Sequence, residues 1–372
     1  RWHAPPDPSA AMTRYLLAGG GTAGHVNPLL ALADRIRDTE PGAEIWTLGT
    51  AEGLESRLVP ERGYRLLTVP RLPFPRRLNA AALRFPLRYE SSVRKVVGYL
   101  KGNRIDMVVG FGGYASAPAY TAARRLGIPV VIHEANALPG LANRMAAKRA
   151  SGVGVAFRNT PIANASFVGM PLRAEVEALA AGINQADRVA ARAHFGLDEA
   201  TTTLLVTGGS LGAKRINETI EASRAALRNA GIQVLHIVGD RSEFEAEATS
   251  DFVRLKYCDR MDLAIAAADF AVCRAGSATV SEFAAIGLPA VYVPYPVGNG
   301  EQKHNVTELV DAGGGLLCAD ADFTPEFVNS VLIPLVSDAR ARGLISAAAK
   351  KVGVADGTAR LMALVQSVLA KR

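Results

Sequence analysis

Short apolar runs alternate with longer stretches of helical spacing along most of the chain. Such runs are typical of strands that are buried on both faces, as in parallel sheets. The runs that predict strands occupy residues 15–18, 44–48, 107–109, 129–132, 153–156, 203–207, 234–238, 270–273, 290–293 and 315–318. Their alternation with helical segments predicts an α/β fold with two doubly wound, mostly parallel sheets.

Glycine-rich turns follow a predicted strand at corresponding places in the two halves of the chain. GGGTAGHVNP occupies residues 19–28 and GGSLGAKRIN occupies residues 208–217, and each leads into a predicted helix. Residues 20–24 align with residues 208–212 at an offset of 188 (208 − 20), about half the chain. This repeat predicts two similar halves. Neither turn has the Gly-Lys-Ser/Thr ending of a P-loop, which argues against ATP hydrolysis.

The segment 273–305 has the pattern of strand end, turn, helix, strand and loop. Gly276 permits a tight turn, Ser277 is predicted to cap the helix, and Gly287 is predicted to end it. A helix that opens directly after a strand suits a phosphate group. An acidic side chain near that end can accept hydrogen bonds from ribose hydroxyls, so Glu282 is a candidate nucleotide ligand. The alternative for Glu282 is a solvated helix residue.

The composition indicates a globular protein of more than one domain with a local excess of positive charge. The chain has 372 residues, of which 49% are hydrophobic and 21% are charged, and this length exceeds the usual single core. The net charge is +7, and residues 65–95 alone carry eight basic residues and one acid (8 − 1 = +7). The three cysteines are scattered, which predicts reduced thiols and neither a disulfide nor a zinc site. No apolar run approaches the roughly 18 residues that a membrane span requires.

The predicted domain plan has four parts. Residues 1–11 are rich in Pro and Ala and are predicted to be a disordered extension, with Met12 as a natural start. Residues 12–173 and 174–350 form the two predicted domains, and residues 351–372 form a helix that packs back on the first. In such folds ligands bind at the carboxyl ends of the strands. We therefore expect the two domains to face a central cleft that holds the site.

Seven motifs, in order along the chain from Met12, together resemble those of the MurG family of peptidoglycan glycosyltransferases. They are GGGTAGHVNP, GFGGYASAP, GIPVVIHEANALPGLANR, GMPLR, GGSLGAKRIN, CRAGSATVSEFAAIGLPAVYVP and GNGEQKHN. The resemblance implies the GT-B fold, which consists of two Rossmann-like domains. It implies transfer of N-acetylglucosamine from UDP-N-acetylglucosamine, with inversion and without a cofactor, to the 4-hydroxyl of the N-acetylmuramoyl unit of lipid I. The product would be lipid II.

The resemblance also implies a cellular setting. It predicts a peripheral enzyme at the cytoplasmic face of the cell membrane, with roles in peptidoglycan synthesis, cell shape and cell division. The expected partners are the two substrates and an anionic membrane surface, and protein partners from cell-wall synthesis stay open. A second hypothesis is another nucleotide-sugar enzyme of the same fold, such as a UDP-sugar epimerase, because fold alone does not define function.

Donor-binding residues follow from the resemblance position by position. They are Thr22, Ala23, Gly24, Asn136, Arg173, Ser210, Cys258, Ser277, Ala278, Thr279, Glu282 and Gln302. Glu282 is expected on the ribose hydroxyls, and Cys258 lies where the family reads uracil through its backbone. Glu301 replaces the first of two adjacent glutamines. A carboxylate accepts but does not donate, so any sugar contact of Glu301 must differ from that of glutamine.

Two residues compete for the role of the base that deprotonates the acceptor. His25 ends the first glycine-rich turn, and an imidazole suits proton abstraction near pH 7. Its alternative is a histidine that only orders the loop. Glu134 ends a buried strand, where desolvation would raise its pKa, and its alternative is a structural carboxylate that pairs with Arg144. Helix N-termini and backbone N–H groups can meet the leaving-group charge, so no metal is expected.

The basic segment 71–88 alternates loosely with apolar residues, which suits contact with an anionic membrane surface. The predicted membrane contacts are Leu72, Phe74, Arg76, Arg77 and Phe85. The alternative is a solvated loop whose apolar side chains pack on their own domain. No nucleic-acid partner is expected, because the segment lacks the stacking aromatics and lysines that single strands require.

Overall fold

The computed structural model describes residues 12–75, 79–209, 213–297 and 300–371. The predicted extension 1–11 therefore lies outside the described residues. The chain divides into two compact units. Unit 1 contains the described parts of Arg1–Ala135, Pro139–Pro171 and Gly357–Arg372, and unit 2 contains Asn136–Leu138 and Leu172–Asp356.

Unit 1 is built on a seven-stranded sheet in the order β3-β2-β1-β4-β5-β6-β7, and all of its strand pairs are parallel. This is the doubly wound order of dinucleotide-binding folds with one strand added. The strands are β1 (Arg14–Ala18), β2 (Glu44–Gly49), β3 (Arg65–Thr68), β4 (Met107–Gly110), β5 (Val130–Glu134), β6 (Gly152–Val155) and β7 (Ala165–Phe167).

Unit 2 repeats the plan with a seven-stranded sheet in the order β10-β11-β9-β8-β12-β13-β14. Only the β10–β11 pair is antiparallel among the described strands. The strands are β8 (Thr202–Thr207), β9 (Ile232–Ile237), β10 (Glu247–Ala248), β11 (Phe252–Leu255), β12 (Phe270–Cys273), β13 (Ala290–Tyr292) and β14 (Leu316–Leu317). The predicted pair of doubly wound, mostly parallel sheets is confirmed.

Helices connect the strands of both sheets. They are α1 (Ala23–Thr39), α2 (Glu55–Glu61), α3 (Ala80–Gly102), α4 (Ser116–Arg125), α5 (Leu141–Ala146), α6 (Ala174–Ala181), α7 (Gln185–His194), α8 (Lys214–Ala222), α9 (Arg224–Asn229), α10 (Met261–Ala267), α11 (Ser277–Ile286), α12 (Glu301–Asp311), α13 (Pro325–Phe327), α14 (Ile333–Ser337), α15 (Ala339–Val352) and α16 (Gly357–Leu369). Short 3₁₀ segments occupy Ala147–Arg149 and Asp320–Asp322, and a π-helical turn occupies Val328–Leu332.

The alternating side chains of β1 show how the sheet of unit 1 is covered. Tyr15 and Leu17 belong to the core that includes buried residues of α1 and α16. Leu16 and Ala18 belong to the core that includes buried residues of α3 and α4. Because successive side chains of a strand point to opposite faces, both faces of the sheet are buried under helices. The ends of the strands are left to carry the functional loops.

The start of α11 differs from the sequence expectation. The helix begins at Ser277, Gly276 takes the extended backbone conformation of a capping residue, and Ser277 is buried. Ser277 is therefore the first helical residue and not the cap, because the tight turn places Gly276 one position earlier. Gly287 ends the helix in the left-handed conformation (φ 79°), as predicted.

One stretch within the described residues, Ala339–Leu369, passes a test of length and composition for a membrane span, with a mean hydropathy of 1.2. It consists of α15 and α16, which are separated by the non-helical residues 353–356. Leu361 and Val365 of α16 are buried in the core of unit 1. A core helix of a globular protein passes the same test, and the burial of α16 fits that description.

Candidate functional site

The first glycine-rich turn connects β1 to the N-terminus of α1. Gly21 adopts φ +91°, a conformation that suits glycine. Thr22 occupies the capping position, and Ala23 and Gly24 begin the 17-residue helix. Three of the expected donor-binding residues thus lie at the positive end of a helix dipole, where main-chain N–H groups favour an anionic group.

His25 lies in the first turn of α1 with one ring nitrogen fixed by the backbone. Its Nδ1 is 3.0 Å from the carbonyl oxygen of Gly20 and 3.3 Å from Oγ1 of Thr22. A carbonyl only accepts, so the bond to Gly20 requires the proton on Nδ1. The lone pair then resides on Nε2. Gly112 (φ +91°) lies beside this atom, since a Cβ at Gly112 would be 3.2 Å from Nε2.

Glu134 ends β5 and is buried within a hydrogen-bond network. Its Oε2 accepts from the N–H of Gly140 at 3.0 Å and from Nδ2 of Asn143 at 2.9 Å. The amide of Asn143 also accepts from the hydroxyl of Tyr120 at 2.7 Å, and a Cβ at Gly112 would be 3.3 Å from its Nδ2. Gly112 therefore lies between His25 and the network of Glu134, which brings the two candidate bases into one neighbourhood.

Glu55 is a buried carboxylate that sequence reasoning missed. It is the first residue of α2 and is 1% exposed. Its Oε2 accepts from the N–H of Gly21 at 2.8 Å, and its Oε1 accepts from the N–H and Oγ1 of Thr50, both at 2.7 Å. The flanking glycines in GTAEGLES were the available signal, because closely spaced glycines often leave room for a buried group.

In unit 2, Glu282 and Arg173 form a shielded pair beside the start of α11. Oε1 of Glu282 is 3.7 Å from Nη2 of Arg173, and their side chains are 13% and 20% exposed. Burial raises the pKa of the Glu282 carboxyl above its usual value, and the charge of Arg173 opposes this rise. Nε of Arg173 is buried and has no hydrogen-bond partner among the described residues. The pair therefore retains unused capacity for a polar ligand.

Asn305 is a second residue whose role sequence reasoning missed. It is buried on α12, and its Oδ1 accepts from the N–H of Ala137 at 2.9 Å. Its Nδ2 lies 3.3 Å from the carbonyl oxygen of Ala275 and 3.4 Å from Oδ1 of Asn136. Asn305 thus ties Asn136, an expected sugar ligand, to the turn that precedes Ser277. It stands in the GNGEQKHN motif, which was the available signal.

The remaining expected donor-binding residues lie on loops and helix starts of unit 2. Gln302 is in the first turn of α12, and its Oε1 accepts from the N–H of Tyr295 at 2.9 Å, which leaves its NH₂ group to donate. Cys258 follows β11, and burial raises the pKa of its thiol to about 11. Ala278 and Thr279 are half-buried in the first turn of α11. Ser210 lies outside the described residues.

The expected membrane contacts differ in exposure. Phe74 is exposed, and Leu72 and Phe85 are half-buried. The ring of Phe85 packs 5.0 Å from that of Phe74 and 5.8 Å from that of Tyr89. Arg76 and Arg77 lie outside the described residues. Among the described residues of this region, the most exposed apolar side chains are on α3, where Leu83 is 83% and Leu87 is 77% exposed, beside the exposed Arg84 and Arg88.

Asp320, in the 3₁₀ segment Asp320–Asp322, forms an ion pair with Arg274. Oδ1 of Asp320 accepts from Nη1 of Arg274 at 2.5 Å, and this arginine also donates to the carbonyl oxygens of Val293 and Pro294. Within the described ranges, no group of three or more His, Cys, Asp or Glu residues is placed to hold a metal ion.

Comparison with known families defines the class. The Glycosyltransferase family 28 N-terminal domain matches residues 15–155, and the Glycosyltransferase family 28 C-terminal domain matches residues 203–361. The first match covers β1 to β6, and the second covers nearly all of the sheet of unit 2. The two matches, together with the two mostly parallel sheets, therefore define a family 28 glycosyltransferase of the GT-B type.

Whole-chain relatives narrow the class. A protein of Leifsonia xyli subsp. xyli (strain CTCB07) is 58% identical over 362 residues, covering 96% of this chain and 99% of its own. It is named UDP-N-acetylglucosamine--N-acetylmuramyl-(pentapeptide) pyrophosphoryl-undecaprenol N-acetylglucosamine transferase. The crystal structure of Acinetobacter baumannii MurG is similar with a TM-score of 0.75 and 28% identity, covering 95% of this chain and 99% of that one. The chain belongs to the MurG family.

The fold is shared more widely than the family. A crystal structure of UDP-N-acetylglucosamine 2-epimerase is similar with a TM-score of 0.64 over 97% of this chain and 98% of that one. The sequence identity is only 13%. At that level the likeness concerns the fold alone, and function has to be argued from the site.

His133 makes a testable contribution to the pH dependence of folding. It is buried, its Nε2 is 2.9 Å from the carbonyl oxygen of Gly169, and burial lowers its pKa to about 4. An unfolded histidine titrates near 6.5, so between about pH 6.5 and 4 the unfolded chain binds more protons. This residue therefore lowers the free energy of unfolding as pH falls through that window, by at most about 1.4 kcal/mol per pH unit.

We expect His133→Gln, which can still donate to Gly169, to flatten the plot of unfolding free energy against pH between about 4 and 6.5. Urea titrations at several pH values measure the slope. His304→Gln, which removes an exposed histidine of α12, is the matched control. Parallel curves for the wild type and His133→Gln would contradict the assignment.

Proposed function

We propose that the protein transfers N-acetylglucosamine from UDP-N-acetylglucosamine to the 4-hydroxyl of the N-acetylmuramoyl unit of lipid I and forms lipid II. The observation that carries this proposal is the shielded Glu282–Arg173 pair beside the start of α11. A carboxylate there can accept both ribose hydroxyls of a nucleotide. The full-length relative at 58% identity, named for this reaction, supports the choice of substrates. The epimerase hypothesis is not favoured, since it has only a likeness of fold.

We assign donor binding to groups of unit 2. Glu282 holds the ribose, and the N-terminus of α11 and Arg173 face negative charge of the diphosphate. Asn136 and Gln302 contact the sugar, and Gln302 does so through its NH₂ group, since its Oε1 accepts from Tyr295. Cys258 is a neutral thiol whose backbone remains the part that reads the base.

The proposed reaction is a single displacement at the anomeric carbon. The acceptor 4-oxygen forms a bond to this carbon from the face opposite the diphosphate, which inverts the centre. The bond between the anomeric carbon and the β-phosphate oxygen breaks, and its electron pair leaves with UDP. The hydroxyl proton passes to Nε2 of His25, whose lone pair the Gly20 bond to Nδ1 leaves available. Backbone N–H groups stabilise the charge that develops on the leaving group.

Glu134 is the rival base, and its surroundings favour a supporting role. Its Oε2 already accepts from Gly140 and Asn143. These two bonds connect the carboxylate to the loop after β5 and to α5. We therefore propose that Glu134 holds the loop after β5 in place and that His25 takes the proton.

The donor assignment predicts the behaviour of Glu282 variants. Glu282→Ala should raise the KM for UDP-N-acetylglucosamine about ten- to hundredfold, because a hydrogen bond to an ionised group contributes roughly 1.5–3 kcal/mol. Burial raises the pKa of Glu282, so acidification should neutralise it earlier than an ordinary carboxyl and raise the KM of the wild type. Glu282→Gln should lack this acidic limb. Glu218→Gln, an exposed carboxylate of α8, is the matched control. An unchanged donor KM would remove Glu282 from the site.

The base assignment predicts a difference between two variants. His25→Ala should lower kcat by roughly 10²–10⁴-fold on a soluble lipid I analogue, the usual contribution of a general base. Glu134→Gln should retain more activity than His25→Ala, and both variants should bind UDP normally. Steady-state kinetics and calorimetric titration with UDP measure these effects. If His25→Ala keeps nearly normal kcat and Glu134→Gln loses it, the two roles are reversed.

We propose that the protein works as a peripheral enzyme at the cytoplasmic face of the membrane and approaches lipid I through the start of α3. Leu83 and Leu87 lie four residues apart and share a face, and Arg84 and Arg88 lie beside them in the same spacing. Apolar side chains can enter the headgroup boundary while the arginines meet anionic lipid, at about 1 kcal/mol per basic residue. Phe74 extends the apolar part of this surface.

The surface predicts a selective loss of vesicle binding. Leu83→Ser/Leu87→Ser should reduce sedimentation with phosphatidylglycerol vesicles by roughly tenfold, because two leucines lose apolar burial. Turnover of a soluble acceptor analogue should be unchanged. Leu344→Ser alters a similarly exposed leucine of α15 (65% exposed) and should bind like the wild type. Binding should weaken at high salt. Equal sedimentation of all three proteins would overturn this assignment.

A further inference from the structure

A single peptide group links the buried carboxylate of Glu55 to the imidazole of His25. The peptide between Gly20 and Gly21 donates its N–H to Oε2 of Glu55 at 2.8 Å. Its carbonyl oxygen lies 3.0 Å from Nδ1 of His25. The N–H and C=O of a trans peptide point in opposite directions within one plane. Glu55 and His25 are therefore hydrogen-bonded to opposite sides of the same peptide group.

The position of this peptide is fixed from several sides. The other oxygen of Glu55 accepts twice from Thr50, so the carboxylate itself has a set orientation. Glycines surround it, because a Cβ at Gly20, Gly49 or Gly53 would collide with the side chain of Glu55. A Cβ at Gly113 would lie only 2.5 Å from the oxygen of Gly20. The absence of a side chain at Gly113 therefore leaves the room that the carbonyl oxygen of Gly20 occupies.

We propose that Glu55 is the positioning residue of the base. Through the Gly20–Gly21 peptide, it holds His25 in the tautomer with the proton on Nδ1 and the lone pair on Nε2. Its significance for catalysis rests on the proposed role of His25. A peptide N–H that donates to a carboxylate is polarised, and polarisation makes the carbonyl at its other end a stronger acceptor. A buried carboxylate that binds a catalytic imidazole directly selects the tautomer in the same way. Here the carboxylate acts through one intervening peptide.

A purely structural role for Glu55 would stabilise the turn without affecting the ring of His25. Two variants separate the possibilities. Glu55→Gln keeps the size of the side chain, but its amide must place an NH₂ group against the N–H of either Gly21 or Thr50. Thr50→Val removes one hydrogen bond to the same carboxylate and leaves the bond to Gly21 in place. Both variants lose stability, but only Glu55→Gln removes the negative charge that polarises the Gly20–Gly21 peptide, so only this variant should disturb His25.

The experiment measures the histidine tautomer by long-range ¹H–¹⁵N NMR of ¹⁵N-histidine-labelled protein, with His25→Gln to assign the signals. We expect the Nδ1–H form in the wild type and in Thr50→Val, and a mixture of tautomers in Glu55→Gln. We also expect kcat on a soluble acceptor analogue to fall roughly ten- to hundredfold in Glu55→Gln, the usual scale for partners that orient a functional imidazole. The KM for the donor should stay within about twofold of the wild-type value, and Thr50→Val should keep its kcat.

An Nε2–H tautomer in the wild type would overturn the proposal, even if Glu55→Gln fails to fold. A wild-type tautomer in folded Glu55→Gln would overturn it as well. A shifted tautomer with normal kcat would support the link between Glu55 and His25 and count against His25 as the base. A lowered kcat with equal losses in both variants would indicate a structural role and overturn the proposal.

Discussion

The site of unit 1 depends on one constraint. At the carboxyl end of β1, the backbone must pass very close to buried polar groups. The carboxyl ends of parallel strands lie at the same edge of a sheet, so the loops after β1, β4 and β5 are crowded together there. Glycines make this crowding possible. Gly20 leaves room for the carboxylate of Glu55, Gly112 for Nε2 of His25, and Gly113 for the carbonyl oxygen of Gly20. The released space is filled by polar groups, which are costly to bury unless they are paired. One of these pairs is the hydrogen bond between Nδ1 of His25 and the carbonyl oxygen of Gly20, which orients the imidazole.

Unit 2 meets the same constraint with a different pairing. Glu282 and Arg173 are both shielded and lie 3.7 Å apart, which is longer than a direct hydrogen bond. The attraction between the two charges offsets part of the cost of burying them. Among the described residues, Nε of Arg173 has no hydrogen-bond partner, so the pair can still bind a polar ligand. Unit 1 satisfies the carboxylate of Glu55 with three short bonds. The carboxylate of Glu55 is thus suited to fixing the backbone around it, and that of Glu282 is suited to binding a ligand.

The sequence predicted the strands that are mainly apolar runs, and it missed β3 and β11, in which an arginine breaks the run. Strands such as β4 and β12 are continuous apolar runs and were predicted with nearly correct ends. The strands β3 and β11 contain arginines, and Arg254 is buried only because Glu221 and Glu247 pair with it. Partners this distant in the chain leave no trace in local periodicity. The family resemblance supplied the donor residues, but motifs do not state what each side chain contacts.

Glu55 shows why the rest of the site was beyond sequence reasoning. Its neighbours in LESRLVPE have the polar character of a surface helix start, and an acidic residue in a first turn is ordinarily explained by the helix dipole. The glycines beside it indicate room for a buried group, but its hydrogen-bond partners at Gly21 and Thr50 are seen only in the structure. A UDP-N-acetylglucosamine 2-epimerase has a similar fold at 13% identity, so sheet order does not define the chemistry and function has to be argued from side-chain contacts. In the proposed assignment, Glu55 orients the imidazole of His25 before the acceptor arrives, and such orientation lowers the entropy cost of the proton transfer.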